Sequence, residues 1–501
     1  MVGQDDDTTG HLQKILAQIG SFCLVTIGTF VVLEIVVLYP RFHYDYRRGL
    51  DAILVLLIGG IPIAMPTVLS VTLAVGAQQL AKHKAIVTRI TAIEELAGVT
   101  ILCSDKTGTL TTNKLTIDRN TIRTYGPFSA DDVILLAAYA SRTENQDAID
   151  ASVVQALGDT AKARAGIKLL DFKPFNPVDK RTEITYREES SGKLKRVTKG
   201  MTGIIIELCS RNKTEELENK LEADVEEYAT RGLRALAVAY EELDGDNHEA
   251  EGNGFELIGL LAIFDPPRDD TKQTIDDALA LGVKVKMVTG DQLAIAKETG
   301  RRLGLGDHMY PAKVLKDGPA PGSKHASLDE MIMDADGFAG VFPEHKYEIV
   351  KRLQGLGHLC AMTGDGANDA PALSRANVGI AVEGATDAAR GAADIVLTEP
   401  GLSTIVHAIR GSRIIFQRMR NYSIYACAVT IRIVVCFAIL EFAYQFDFPP
   451  FMILIIALLN DGTIMTLSVD RVLPSMTPDS WDLAEIFSYA VAYGLYLTLS
   501  T

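Results

Sequence analysis

Residues 101–112 read ILCSDKTGTLTT, and this stretch decides the fold. The apolar residues at its start predict the end of a buried strand, and Asp105 follows where a Gly-containing loop begins. In an open α/β sheet, ligands bind at the carboxyl ends of the strands. Lys106, Thr107 and Thr109 supply a cation, hydroxyls and backbone N–H groups, which can hold a phosphoryl group while a carboxylate attacks it. For this stretch alone, a simple turn with a capping aspartate is the alternative.

Three further stretches carry side chains suited to the same chemistry. They are TGD at 289–291, EHKYEIVKRL at 344–353 and MTGDGANDAPAL at 362–373. Thr289 and Lys346 can bind phosphoryl oxygens and offset their negative charge. Asp365 and Asp369 can ligate Mg²⁺ beside an aspartate nucleophile, because Mg²⁺ takes oxygen ligands and shares them with phosphate. A Gly-rich loop with capping side chains is the alternative for the third stretch taken alone.

Short β-like runs alternate with helical stretches around these motifs, which predicts a doubly wound parallel sheet. The runs are TILCS, KVKMVTG, LCAMTGDG, VGIAV and DIVL, and the helical stretches cover 271–281, 293–303 and 346–356. Between residue 112 and about residue 262 the pattern changes to hairpin-like strands and an acidic helix at 215–229. We interpret that block as a second domain inserted into the first.

The composition restricts the class of protein. A chain of 501 residues is too long for one ordinary core, so two or more domains are expected. Hydrophobic residues make up 48% and the mean hydropathy is +0.14, which favours a location partly in a membrane. A formal net charge of −15 argues against nucleic acid as a partner. The six cysteines are scattered without a C-x-x-C pair, so a zinc site and a disulfide framework are both unexpected.

Apolar segments on both sides of the α/β region predict transmembrane hairpins. Spans are expected at 15–39, 52–80, 423–444 and 450–469, with a further span beginning near residue 487. Basic residues beside the second and third spans place the large region between them in the cytoplasm by the positive-inside rule. No cleavable signal is evident, because the first ten residues are acidic and polar.

The second span contains GGIPIAMP at 59–66. Proline removes a backbone donor and breaks the helical ladder, and unwound backbone at membrane depth survives where it is buried or lines a cavity. Pro62 and Pro66 are therefore candidate residues of an ion path. A simple proline kink is the alternative.

Few ionisable side chains lie within the spans, and each is a functional hypothesis. Arg432 and Glu441 belong to the third span, and Asp461 lies midway through the fourth. These carboxylates are too few for Ca²⁺, and the absence of Cys-Pro-Cys argues against a soft transition metal. Asp461 can accept a proton and Arg432 can favour its release. For Arg432, snorkelling or capping of a neighbouring helix is the alternative.

DKTGT, TGD and GDGxNDxP, in this order, with an inserted domain and flanking hairpins, resemble the P-type ATPases, whose phosphorylation domain belongs to the haloacid-dehalogenase superfamily. GGIPIAMP, CSDKTGTLTTNKL, FNPVDKRT and LNDGTIMTLS are similar to the plasma-membrane proton pumps (type 3A) of plants, fungi and protists, and the resemblance covers nearly the whole chain. It implies a multi-domain membrane protein with α-helical transmembrane hairpins, a cytoplasmic Rossmann-like α/β phosphorylation domain and an inserted α+β nucleotide-binding domain. The domains implied are a membrane hairpin and stalk at 1–98, the phosphorylation domain at 99–112 plus 263–420, the nucleotide-binding domain at 113–262, and membrane helices at 421–501.

The resemblance also implies ATP-driven export of H⁺ through an aspartyl phosphate on Asp105, with Mg²⁺ as cofactor. The metal site it implies consists of Asp105, Thr107, Asp365 and Asp369. Catalytic contacts are implied for Lys106, Thr107, Thr289, Gly290, Asp291 and Lys346. Nucleotide contacts are implied for Phe175, Lys180, Arg181, Lys199, Gly200, Arg234 and Arg268. Asp461 and Arg432 match the positions that carry and release the proton, whereas Met201 and Thr202 stand where the family usually has Ala-Pro.

The family's Thr-Gly-Glu actuator loop occurs nowhere in the sequence, and its last membrane helices do not follow Thr501. We therefore expect a fragment that forms the phosphoenzyme but hydrolyses it poorly. Expected partners are ATP, H⁺, membrane lipid and a second copy or an intact pump, in the plasma membrane and without nucleic acid. The alternatives are a pump for another cation, a membrane-tethered phosphatase of the same superfamily, or an inactive fragment bound to an intact pump.

Overall fold

A computed structural model describes residues 11–61, 65–144, 146–176, 178–319, 321–322, 325–444, 449–464, 471–477 and 483–501. The α-helices of these residues are α1 (His11–Leu38), α2 (Tyr46–Gly60), α3 (Met65–Lys82), α4 (Thr91–Ala97), α5 (Ala130–Tyr139), α6 (Ala148–Leu157), α7 (Thr160–Arg164), α8 (Thr202–Leu208), α9 (Glu215–Thr230), α10 (Thr271–Ala280), α11 (Leu293–Leu303), α12 (Val314–Asp317), α13 (Leu328–Asp334), α14 (Pro343–Gly355), α15 (Ala370–Arg375), α16 (Asp387–Ala392), α17 (Ser403–Tyr444), α18 (Pro450–Ile464) and α19 (Leu483–Ser500). The strands are β1 (Ala85–Val87), β2 (Ile101–Asp105), β3 (Thr116–Ile117), β4 (Arg123–Thr124), β5 (Ile167–Lys173), β6 (Arg181–Glu188), β7 (Leu194–Gly200), β8 (Arg234–Leu243), β9 (Glu256–Phe264), β10 (Lys284–Val288), β11 (Met309–Pro311), β12 (Gly337–Ala339), β13 (Cys360–Gly364), β14 (Val378–Ala381) and β15 (Ile395–Leu397).

One sheet has the strand order β1-β15-β14-β13-β2-β10-β12-β11. Its inner strands are short apolar runs, and every residue of β13 is buried. Strands buried on both faces read this way in parallel sheets covered by helices. β13 pairs in parallel with β2 and with β14, whereas β1 at the edge is antiparallel to β15. The predicted α/β sheet, with helices between its strands, is confirmed.

A second sheet has the order β3-β9-β8-β7-β6-β5, with β4 also paired to β9. Its strands pair in antiparallel, and β6 and β7 form the hairpin predicted from TEITYREESSGKLKRVTKG. Ile184, Tyr186 and Val197 on this hairpin contribute to a buried core shared with α5. The strands of this sheet fall within residues 116–264, and the boundaries of the inserted domain stay a prediction.

The described chain forms two compact units. One comprises Met1–Cys103, Asp276–Val285 and Lys346–Thr501, and the other comprises Ser104–Ile275 and Lys286–His345. The first unit holds the long apolar helices, and the second holds the antiparallel sheet.

Three helical segments of the described residues are long and apolar enough to cross a membrane: Lys14–Leu38, Tyr46–Lys82 and Ser403–Tyr444. Membrane association of the chain is therefore plausible. The second segment contains a break after α2, where Ile61 is extended with φ −76° and ψ 123°. Residues 62–64 lie outside the described part of the chain, and so do the last residues of the predicted span 450–469.

The third segment differs from its predicted bounds, because α17 begins twenty residues before the expected start at 423. Its first half packs against α4. There the guanidinium of Arg413 is fully buried and donates from Nε to the carbonyl of Ala97 at 3.3 Å. The basic run that was predicted to precede the span therefore belongs to the same helix as the apolar residues that follow it.

Candidate functional site

The loop after β2 starts at Asp105 and reverses the chain sharply. Thr107 leaves helical geometry with ψ 124°, and Gly108 takes φ +80°, a region that disfavours side chains. Thr107 is exposed, while Lys106 and Thr109 on either side are buried. The loop therefore presents its hydroxyl and backbone at the end of β2, as the phosphate-handling prediction requires.

Side chains from a distant segment hold this loop in place. Thr111 Oγ1 donates to Asp265 Oδ2 at 2.6 Å and accepts from the backbone N–H of Gly108 at 3.3 Å. Arg268 Nη2 donates to the carbonyl of Gly108 at 2.6 Å. Arg268 is thus an anchor of the Asp105 loop, and its contact with nucleotide stays a prediction.

Asp291 of the TGD motif joins two cations. Lys106 Nζ lies 2.5 Å from Asp291 Oδ2, and Arg234 Nη2 lies 2.6 Å from Asp291 Oδ1. The backbone N–H of Asp291 donates to Thr289 Oγ1 at 3.1 Å. Burial acts to raise the pKa of the Asp291 carboxyl, but Lys106 and Arg234 outweigh it and lower the pKa. Asp291 therefore holds Lys106 of the Asp105 loop in place through an ion pair.

In the other unit, Asp369 is tied to Lys346 and to the loop after β13. Lys346 Nζ lies 3.2 Å from Asp369 Oδ1. Asp369 Oδ2 accepts from the backbone N–H groups of Asp365 at 3.2 Å and Gly366 at 3.3 Å. A Cβ on Gly364 would lie 2.9 Å from that of Asp369, so the turn requires glycine there. The carboxyl of Asp365 is exposed, whereas that of Asp369 is buried.

The two carboxyl groups differ electrostatically. Burial would raise the pKa of Asp369, but Lys346 and the two backbone N–H groups lower it, so this carboxylate stays ionised. Asp365 is exposed as a residue, but partial desolvation of its carboxyl by the surrounding protein, together with the neighbouring Asp369, raises its pKa. An added cation would remove that repulsion, which favours metal binding beside the pair.

The register of the sheet determines which residues share one edge. Cys103 of β2 is opposite Met362 of β13, and the strands run parallel. Asp105 and Asp365 follow these positions by two and three residues, at the carboxyl ends of neighbouring strands. Asp365 and Asp369 offer carboxylate oxygens after β13, and Asp105 offers a carboxylate at the end of β2. Oxygen ligands of this kind fit Mg²⁺.

A cleft of about 360 Å³ lies within the second unit, beside the antiparallel sheet. Phe175, Lys180, Lys199, Gly200 and Arg234 of the predicted nucleotide contacts line it, together with Gly290 and Asp291. Their role in nucleotide binding stays a prediction. The cleft joins an exposed aromatic ring, which can stack on a base, to cations that suit phosphate.

Two predicted nucleotide residues have other partners. Lys199 is buried and its Nζ lies 2.6 Å from Asp150 Oδ1. Arg181 does not line the cleft and instead bonds to Glu183 and Thr198. The sequence gives no sign of the pairing with Asp150, because the partners are 49 residues apart and lie on different elements.

A second cavity, of about 310 Å³, lies among the apolar helices of the first unit. Arg432 and Asp461 both line it, and so do Gly60 and Ile61 at the end of α2. Asn460, which the sequence analysis did not single out, lines it as well. The structure thus brings the two predicted ion-path side chains to one cavity.

The backbone at the helix break has a side-chain partner. Thr430 Oγ1 donates to the carbonyl of Gly60 at 2.9 Å. Of the two predicted prolines, Pro66 is an exposed residue in the first turn of α3, and Pro62 lies outside the described residues. The contact from Thr430 was missed because a threonine within a long apolar helix carries no distinctive sequence signal.

Comparison with known proteins identifies the region around the first sheet. Residues 99–377 match the family model described as a hydrolase, haloacid dehalogenase-like hydrolase. The match starts two residues before β2 and includes Asp105, Thr289, Lys346, Asp365 and Asp369.

Proposed function

Because the chain belongs to the haloacid dehalogenase-like hydrolase family, we propose that ATP phosphorylates Asp105 and that the aspartyl phosphate drives H⁺ export through the apolar helices. This makes the chain a P-type proton-exporting ATPase of the plasma membrane. The observation that carries the phosphoryl-transfer step is the pairing of two parallel strands, β2, which ends at Asp105, and β13, which ends one residue before Asp365.

In the proposed step, a carboxylate oxygen of Asp105 attacks the γ-phosphorus of ATP. The new bond joins this oxygen to phosphorus, the bond to the bridging oxygen breaks, and ADP leaves with that electron pair. Asp105, Thr107, Asp365 and Asp369 would hold Mg²⁺, which neutralises charge on the phosphates when bound. Lys346 and Thr289 offset the negative charge of the transferred group.

The cleft in the second unit is the proposed ATP site. Phe175 would stack on the adenine, and Lys180 and Arg234 would face the phosphates. Arg234 also bonds to Asp291, which in turn holds Lys106 next to Asp105. A single chain of ion pairs therefore joins the proposed ATP cleft to the residue beside the proposed nucleophile.

Proton transport is proposed because Arg432 and Asp461 line one cavity next to the helix break. One carboxylate suits a proton better than Ca²⁺, which needs six or more oxygen ligands. Arg432, a cation that lines the same cavity, would favour the ionised carboxylate and thus proton release when it approaches Asp461.

Radiolabelled ATP followed by an acid quench tests the phosphoryl step. The chain should carry a hydroxylamine-labile label that Asp105→Asn abolishes. The exposed Asp387 supplies the matched control, since Asp387→Asn leaves the acidic group intact. A label that persists in Asp105→Asn would contradict the assignment of the nucleophile.

Proton uptake into inside-out vesicles carrying the chain tests the transported ion. ATP-dependent acidification should occur, and Asp461→Asn should abolish it while leaving phosphorylation of Asp105 in place. Undiminished acidification in Asp461→Asn would remove Asp461 as the proton carrier.

The second candidate is a membrane-tethered phosphatase. The match at 99–377 favours it because the matched family is described as a hydrolase. Turnover of simple phosphate esters without ATP would support it. The cleft lined by Phe175 and Lys180 favours a nucleotide substrate instead.

A further inference from the structure

Helix α1 has one buried face, and an acidic residue interrupts its apolar character. The apolar members of this face are Ile15, Ile19, Cys23, Ile27 and Leu38. Glu34 lies on the same face and is only 1% exposed. Its Oε2 has no hydrogen-bond partner among the described residues. A carboxyl group buried in this way is expensive unless it binds something, so the position indicates a ligand.

The contacts of α1 with α17 show how these helices run. The thiols of Cys23 on α1 and Cys427 on α17 are fully buried, and the two groups interact with each other. Further along, four residues on in α1 and seven residues on in α17, Ile27 and Val434 belong to one buried cluster and flank the same glycine, Gly60. Since both contact positions advance toward the carboxyl end of each helix, α1 and α17 are parallel.

Two turns beyond these contacts, both helices present a glutamate. Glu34 is seven residues after Ile27, and Glu441 is seven residues after Val434. Seven residues are close to two helical turns, so both side chains return to the face that carried the previous contact. Glu441 is 3% exposed, and its charge acts electrostatically on Glu34. The two side chains therefore lie on the sides of α1 and α17 that contact each other.

The surroundings of Glu34 on α1 are apolar on both sides. Ile27, Leu56 and Val434 form the cluster before it, and Leu38, Tyr44 and Ala52 form the cluster after it. The charged groups on the helices around α1 lie elsewhere than the region around Glu34. At the start of α2 the exposed ones are Asp45, Arg47, Arg48 and Asp51. Arg432 of α17 lines the cavity with Asp461, and Glu485 of α19 pairs with Arg420.

We propose that Glu34 and Glu441 form a proton-binding site in which the two carboxyl groups share one proton. In an apolar region two neighbouring like charges are unfavourable, and one shared proton would remove the repulsion through an O–H···O⁻ hydrogen bond. The protonation of such a pair belongs to both groups together. Two carboxylates offer too few oxygens for Ca²⁺ or Mg²⁺, which take six or more ligands.

This site goes beyond the proposed transport through Asp461 and does not depend on it. It consists of other side chains, near the carboxyl ends of α1 and α17. Whether a proton occupies it can be measured without ATP.

Infrared spectroscopy of the full chain in lipid nanodiscs, with carboxyl-¹³C-labelled glutamate, tests the site. The carbonyl band of a protonated glutamic acid should be present at neutral pH. Glu34→Gln and Glu441→Gln should each weaken proton binding by the remaining partner at least about tenfold, because the like charge is gone. Glu441→Asp keeps both carboxyl groups and should retain a shared proton, and the exposed Glu249→Gln should leave the band unchanged.

Absence of a protonated-glutamate band at neutral pH would overturn the proposal. Unchanged proton affinity of each glutamate after removal of the other would overturn it too. Asp461→Asn separates the two proposals, because it carries no glutamate change and should leave the band in place. If the band behaves as expected in a chain that transports no protons, only the proposed transport fails.

Discussion

The protein contains two pairs of neighbouring acidic side chains in opposite environments. Asp365 and Asp369 follow a strand, and Lys346 and two backbone N–H groups compensate the charge of Asp369. Glu34 and Glu441 lie between apolar helices, with hydrophobic clusters beside Glu34. The surroundings of a carboxylate pair therefore determine what the pair binds. In the first pair Asp369 is kept ionised, which suits a metal ion and phosphate, whereas the second pair suits a proton.

The largest expected effect comes from removing Asp369, the carboxylate whose negative charge Lys346 offsets. Asp369→Ala removes one proposed metal ligand and leaves the Lys346 ammonium without this carboxylate. We expect phosphorylation by ATP to slow at least about 100-fold, since a charge-stabilising group at a transition state contributes on this scale. Quenched-flow measurement of phosphoenzyme formation at several Mg²⁺ concentrations checks this. A rate within a factor of two of that of Asp387→Asn would contradict it.

A smaller effect is expected at the support of the Asp105 loop. Asp291→Asn removes the buried partner of Lys106, and loss of one member of a buried ion pair costs about 3 kcal/mol or more. Hydrogen exchange of the peptide covering residues 104–112 should therefore become about 100-fold faster. Asp246→Asn, which affects an exposed pair with Arg187, is the control and should change exchange little. Equal protection in both variants would show that Asp291 does not hold the loop.

A change in pH dependence is expected from Lys346→Met. Lys346 lowers the pKa of Asp369, so the stabilising effect of the ionised carboxylate is present above its unfolded pKa and is lost as pH falls through its folded pKa. Without the lysine the pKa of Asp369 rises. Protonation then competes with Mg²⁺ at higher pH, and the acidic limb of Mg²⁺-dependent phosphorylation should move to higher pH. An unmoved limb, measured against Lys351→Met on the same helix, would refute the coupling.

The smallest effect is expected among the apolar helices. Thr430→Val keeps the side-chain shape but removes the donor to the carbonyl of Gly60. We expect a loss of about 1 kcal/mol or less in the free energy of unfolding, as for other single hydrogen bonds between such helices. Thermal unfolding of the purified chain in nanodiscs measures it, with Thr463→Val as the control because that hydroxyl bonds within its own helix. A loss of several kcal/mol would mean that the break is held mainly by this contact.

The sequence predicted most accurately those strands, helices and turns that depend on a local pattern of residues. The strand ending at Asp105, the helix over Leu293–Leu303 and the hairpin of β6 and β7 agree with the structure, because apolar period and turn residues encode them directly. The family match supports the same α/β region.

Side-chain partners distant in the chain could not be predicted in this way. The pairing of Lys199 with Asp150 and of Asp291 with Arg234 depends on how the sheets and loops fold together, which no local pattern records. The face shared by Glu34 and Glu441 likewise requires the register of two helices that are remote in sequence. The sequence identifies Glu441 as an ionisable residue in a predicted span, but it does not identify Glu34 as its partner.

Borohydride reduction of the acid-quenched chain tests the central claim most directly. Reduction converts an aspartyl phosphate to homoserine, which mass spectrometry locates in the sequence. The account predicts homoserine at position 105 after incubation with Mg²⁺ and ATP, and none when ATP is omitted. Homoserine at another position, or its absence from a chain that hydrolyses ATP, would contradict the account.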